Sequence, residues 1–183
     1  MPNGPKFVEI ILNIGGVQNP DNTVGISTQY PNNFTFSYGK TASNPQTNSS
    51  SLVLPNGDID LTQLPTGPGF SQEVDLYFVL TGQIRGTDGL MYSPRWARAG
   101  EGGPANQPYC WLVASETDPT VQPWPPGMAA SLSRSTPGAV KIDDNRRGTP
   151  YFYNLGVCFD NLPGWRNTFY FLTFDPKIVN PNK

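Results

Sequence analysis

Glu73-Val74-Asp75-Leu76-Tyr77-Phe78-Val79-Leu80-Thr81-Gly82-Gln83-Ile84-Arg85 is the stretch that decides the fold. Val74, Leu76, Phe78, Leu80 and Ile84 recur at even spacing, which puts them on one face of an extended chain. Gly82 breaks the apolar series at one position and points to a bulge or to close approach of another backbone. Beyond it, Asp88-Gly89 turns the chain, and residues 90–96 return at least as far as Pro94.

The same alternation appears on both sides of this strand. Residues 6–14 place Val8, Ile10, Leu12 and Ile14 on one face and Glu9 and Asn13 on the other, with an ending expected at Gly15-Gly16 and the Asn19-Pro20-Asp21-Asn22 cluster. Phe34, Phe36 and Tyr38 form a second alternating run after Tyr30-Pro31-Asn32, and the Ser-, Asn- and Thr-rich residues 41–51 read as a mobile loop. Leu52-Val53-Leu54 and Ile59-Asp60-Leu61 flank Asn56-Gly57, the hairpin signal of a type I′ turn. Residues 109–114 are a short apolar strand. Residues 118–127 carry Pro119, Pro123, Pro125 and Pro126 around Trp124 and read as a polyproline-like surface crossing.

Residues 128–134 are the one plausible helical turn. Val140-Lys141-Ile142 begins another strand, followed by a polar connection over residues 143–148. Tyr151, Tyr153, Leu155, Val157 and Phe159 share a face, and residues 168–174 pair naturally with that strand across Asn161-Leu162-Pro163-Gly164. Eight or nine short strands, long Pro- and Gly-rich loops and at most one short helix predict an all-β fold: an antiparallel β-sandwich, in one domain over residues 1–183.

Composition narrows the function. With 19 Gly and 20 Pro in 183 residues the chain is rich in turns, yet below the share of a low-complexity sequence. It has no histidine, which removes Ser-His-Asp and Cys-His nucleophile systems and histidine-ligated metal sites. Charged residues are only 14% and the formal net charge is −2, so solubility rests on Asn, Gln, Ser and Thr. Association between copies meets little electrostatic opposition. Nucleic-acid binding, which needs concentrated basic charge, is not expected, and neither is membrane insertion, because no apolar run is long enough to span a bilayer. The opening residues show no export signal, so a cytoplasmic location is expected, with leaderless secretion as the other route.

Several residue groups are candidates for a site. Trp96, Trp124 and Trp165 sit in turn-rich stretches, and Arg166 and Asn167 follow the last of them. An exposed indole covering the apolar face of a sugar, with amides on its hydroxyls, is lectin chemistry; the other reading is that loop tryptophans cover the open ends of a sandwich. Asp143, Asp144 and Asn145 offer oxygen ligands to calcium but lack EF-hand spacing, and Asp58 and Asp60 beside a tight turn are expected to be solvated. Cys110 and Cys158 lie in apolar strands and are expected as buried free thiols, a Cys110–Cys158 bridge being the alternative. No motif selects a catalytic residue or a cofactor.

Phe171-Leu172-Thr173-Phe174-Asp175-Pro176-Lys177-Ile178-Val179-Asn180 resembles the terminal aromatic-Asp-Pro-x-Ile element of the AidA/PixA family of bacterial inclusion-body proteins, and Tyr30-Pro31-Asn32 after an apolar strand is similar to that family's beginning. Phe174 stands where the family commonly has tryptophan. The resemblance implies a bacterial β-sandwich that accumulates in the cell, and it carries over no catalytic residue. The expectation is therefore a non-enzymatic β-sandwich that binds a ligand or associates with itself. A lectin-like glycan binder is the first alternative and a glycosidase working through paired carboxylates the second.

Overall fold

The computed structural model describes residues 4–29, 34–38, 46–48, 52–54, 56–64, 70–133, 139–144, 150–165, 168–174 and 177–179. In chain order the strands are β1 (Gly4–Gln18), β2 (Val24–Gln29), β3 (Phe34–Tyr38), β4 (Gln46–Asn48), β5 (Ile59–Asp60), β6 (Phe70–Arg85), β7 (Met91–Tyr92), β8 (Arg95–Trp96), β9 (Cys110–Val113), β10 (Val121–Gln122), β11 (Ala129–Leu132), β12 (Ala139–Asp144), β13 (Tyr151–Asp160), β14 (Phe169–Phe174) and β15 (Lys177–Val179). One sheet, A, runs β11-β12-β6-β1-β3-β4, with β2 also paired to β1 and β7 to β6. The other, B, runs β10-β9-β13-β15-β5, with β14 and β8 also paired to β13. The architecture is all-β and sandwich-like.

The core follows from the alternation. Val8, Ile10, Leu12 and Ile14 of β1 and Val74, Leu76, Phe78 and Ile84 of β6 are buried in one cluster with Tyr153, Leu155, Val157 and Phe159 of β13. Phe78 and Tyr153 meet across it, with ring centroids 5.6 Å apart. Burying a side chain of this size contributes roughly 1.5–3 kcal/mol. These inward faces therefore account for the stacking of the two sheets.

Where pairing departs from expectation, the causes are local. The sheets are mixed: β1 and β6 run parallel from Lys6↔Val74 to Val17↔Arg85, and β15 pairs parallel with β5. Periodicity fixes which face is buried but not which strand lies alongside. Gly82 marks the close approach: it adopts φ 88°, and a side chain there would strike the Ile14 backbone oxygen. Gly15-Gly16 do not turn the chain; β1 continues to Gln18, and Gly16 leaves room for the Gly25 carbonyl of β2. The turn comes at residues 19–22, where the Asn19 N–H bonds Thr23 O at 2.8 Å.

Two further expectations change. Of the stretch 128–134, the described residues 128–133 are not helical: β11 pairs with β12 from Ala129↔Asp143 to Leu132↔Val140. Ala130 is buried while its neighbours Ala129 and Ser131 are exposed, which is strand alternation. Residues 46–48, expected within a loop, form β4 against β3. The hairpin at Asn56-Gly57 forms, with Leu54 N–H on Asp58 O at 2.8 Å, but only Gly57 of the two has positive φ, so the turn is not type I′. The Gly86–Gly89 turn after β6 closes as expected, Gly89 N–H bonding Gly86 O at 2.9 Å. The return splits, β7 staying in sheet A and β8 joining sheet B.

Candidate functional site

The three candidate tryptophans occupy different surroundings. Trp96, opposite Val157 on β13, is buried in the core. Trp124 is half-buried against the core, and its indole N–H donates to Gln107 Oε1. It lies on the connection that carries the chain from β10, at the edge of sheet B, to β11, at the edge of sheet A. Trp165 is 37% exposed and meets Tyr170 edge-on at 5.4 Å. Arg166 and Asn167 lie outside the described residues, as does Asn145. Asp143 and Asp144 end β12 rather than lying in a loop, because their backbones pair with Asp75 and Val74 of β6. Among the described residues no group of three or more His, Cys, Asp or Glu side chains gathers as a metal would require.

Asp58 is not solvated. It is buried, accepts the Lys177 backbone N–H at 3.0 Å and lies 3.3 Å from Lys177 Nζ, which joins the hairpin to β15. Asp60 instead caps the short 3-10 turn Leu61–Gln63 by accepting the Thr62 N–H at 3.0 Å.

The densest charged cluster lies outside the core on sheet B. Arg95, paired opposite Cys158, donates from Nε and Nη2 to Asp160 at 2.7 and 2.6 Å, and from Nη1 and Nη2 to Glu101 at 2.7 and 2.8 Å. Nη1 also bonds Trp96 O at 3.1 Å. All of the guanidinium's N–H donors are thereby engaged. Glu101 accepts the Arg98 backbone N–H at 2.7 Å and faces the Cys158 thiol at 3.6 Å. It belongs to the segment following β8, which lies across the outer face of sheet B: Gly102 sits against the Phe171 ring of β14, and the Pro108 carbonyl against Gly156 of β13. The side chain of Trp111 is buried beneath this segment rather than between the sheets.

The electrostatics of this cluster describe a latch. The Arg95 guanidinium holds Glu101 down at about 2 and lowers Asp160 as well. Acid catalysis by a carboxyl needs the opposite shift. Burial pushes the Cys158 thiol up to about 12, with the Glu101 charge adding to it, and burial raises Cys110 too. Neither forms the thiolate a nucleophile requires. Both cysteines are free and buried. Cys110 belongs to the core cluster, whereas Cys158 faces outward between the core residues Val157 and Phe159, so the two thiols lie on opposite faces of sheet B.

Two surface features remain. The first is an open groove of about 490 Å³ formed by residues 112–114, by Gln122, Pro123 and Pro125, and by residues 150–152. The three segments meet there because β9 lies between β10 and β13. The second is a corner of sheet A. Val17, Arg85 and Met91 are register partners across β1, β6 and β7, so their side chains stand in a row on the outer face. Val17 is 54% exposed and Met91 53%, and Leu90 beside them in the turn is 62% exposed.

Among the described residues no helix is long and apolar enough to cross a membrane. A scan against protein-family models finds none that matches the chain, and a search of curated proteins finds no match either.

Proposed function

We propose that the chain is a non-enzymatic, self-associating β-sandwich protein of the bacterial cytoplasm, and that copies meet through the corner of sheet A carrying Val17, Leu90 and Met91. The observation that carries this reading is the exposure of Val17 and Met91 in one row of the outer face, on either side of Arg85, with Leu90 exposed in the turn next to Met91. Single exposed apolar residues are ordinary, whereas several gathered at one corner mark an interaction surface. Low charge supports the reading: at a net −2 in 183 residues, repulsion between copies is slight. So does the resemblance of the C-terminal segment to the AidA/PixA inclusion-body proteins, whose members accumulate in the cell.

The strength of the contact follows from its size. Burying the exposed half of three such side chains on each of two copies gives several kcal/mol, most of it offset by the loss of translational and rotational freedom. Weak association, in the millimolar range, is expected. Size-exclusion chromatography with light scattering from about 10 μM to about 1 mM should show the mean mass rising with concentration; a strict monomer throughout would overturn the reading.

A further inference from the structure

We propose that Tyr109 holds shut a strand-addition surface, the edge of β11 on sheet A, and that the partner this edge fits is β11 of a second copy of the chain. β11 ends the strand order of sheet A, and among the described residues it pairs with β12 alone. The Ser133 N–H bonds Ala139 O on β12 at 2.8 Å, and the backbone groups of successive residues along an antiparallel strand point to opposite sides. Those of Ala130 and Leu132 therefore point away from β12, the row of unpaired groups on which another strand can build.

The edge lacks the common protections. Met128-Ala129-Ala130-Ser131-Leu132-Ser133 carries neither charge nor proline, and the Leu132 side chain is 54% exposed. Tyr109 supplies the protection from the opposite sheet. Its carbonyl accepts the Gly156 N–H of β13 at 3.0 Å, which ties its backbone to sheet B, and its half-buried side chain reaches across to sheet A. There the hydroxyl donates to Ala130 O at 3.5 Å and accepts the Leu132 N–H. Burial pushes this phenol above its usual pKa, so the hydroxyl keeps its proton and is donor and acceptor at once. An added strand would lie about 4.8 Å from β11, and an oxygen 3.5 Å from Ala130 O stands in that space. A contact of this length is weak as a bond; it guards the edge chiefly by occupying it.

The partner follows from the pattern. Across a two-fold axis the β11 strands of two copies run antiparallel with Ala130 of each opposite Leu132 of the other, exchanging both N–H···O bonds at each pair. The strand has no charged residue to set against its copy. The corner carrying Val17, Leu90 and Met91 lies on β1, β6 and β7, so the two surfaces stand or fall separately.

The test is sedimentation equilibrium on Tyr109→Leu, made in the chain that also carries Leu90→Glu and Met91→Lys so that the corner does not contribute. Leucine keeps apolar packing at residue 109 and withdraws the hydroxyl and the outer half of the ring from β11. This chain should dimerise at about 100 μM, at least about tenfold more tightly than the same chain with Tyr109. Adding Leu132→Pro should return it to a monomer, because proline is tolerated where an edge N–H points outward and gives an added strand no donor. If Tyr109→Leu does not fold, Tyr109→Phe, which removes the hydroxyl alone, decides, with a rise of about threefold or more expected. A folded variant that stays monomeric to about 1 mM overturns the proposal. So does association that Leu132→Pro leaves unchanged, which would place the contact away from β11.

Discussion

Glu101→Gln should separate the charge of the Arg95 latch from its shape. Glu101 has a side chain 13% exposed and bonds Arg95 through both oxygens. In the folded protein its carboxyl sits at about 2, against 4.5 when free. A folded value below the unfolded one means stability that is fully present above about pH 4.5 and lost as pH falls toward 2. The full shift corresponds to about 3 kcal/mol. The glutamine still accepts a hydrogen bond and Asp160 still pairs with Arg95, so a loss of about 2 kcal/mol at pH 7 is expected. For a chain of this length that lowers Tm by about 4–8 °C.

The pH dependence carries more information than the loss itself. Asp160 aside, whose pKa the Glu101 charge raises, the other carboxylates titrate alike in both proteins, so the difference between them chiefly reports Glu101. It should shrink to less than half its pH 7 value by about pH 3. Urea unfolding at pH 7, 5 and 3, followed by the fluorescence of the buried Trp96 and Trp111, measures it. A difference under about 0.5 kcal/mol at pH 7, or one that stays constant down to pH 3, would refute the assignment of Glu101 as the ionised partner of Arg95.

Other perturbations test other parts of the structure. Gly82→Ala forces a side chain into the Ile14 carbonyl at positive φ and should cost about 3 kcal/mol or more; a near-native urea midpoint would mean that β1 and β6 are not side by side. Asp58→Ala removes the carboxylate that holds both the backbone N–H and the ammonium of Lys177 and should cost about 2 kcal/mol, whereas a loss under about 0.5 kcal/mol would show Asp58 to be solvated. Cys110 and Cys158, buried and with raised pKa, should react with a thiol reagent such as DTNB only after unfolding. Fast labelling of the native chain, or a Cys110–Cys158 bridge under mild oxidation, would contradict their placement on opposite faces of sheet B.

The strongest strand in the sequence survives almost unchanged, from an expected start at Glu73 to a found start at Phe70, because five apolar side chains at even spacing admit only one buried face. The pairing of residues 168–174 with β13 was equally legible, since a short polar connection leaves antiparallel return as the nearest solution. The parallel contact between β1 and β6 was not, because nothing in either strand's alternation names its neighbour. Residues 128–134 misled for a related reason: two alanines and a leucine suit a helical turn until β12 offers them a ladder.

The candidate sites were less legible than the fold. Tryptophan in a Gly- and Pro-rich stretch suggested exposure, yet Trp96 turned inward because β8 joins β13 in register with Val157. Asn154 gave no signal, being one polar residue in an apolar strand, and its position beside a small cavity depends on where residues 113–119 come to lie. Likewise, Val17 and Met91 come into one row, with Arg85 between them, only through the pairing of β1, β6 and β7. An even spacing reports the face of a side chain; such clusters report strand order.

Sedimentation equilibrium on the Leu90→Glu, Met91→Lys double variant, beside the wild type and a Val121→Glu control, tests the central claim most directly. Val121 is 51% exposed but lies on β10, at the edge of the other sheet. The wild type and the control should associate with the same constant, and the double variant should remain monomeric to about 1 mM. A double variant that associates as the wild type does, or a wild type that never associates, would contradict self-association through this corner.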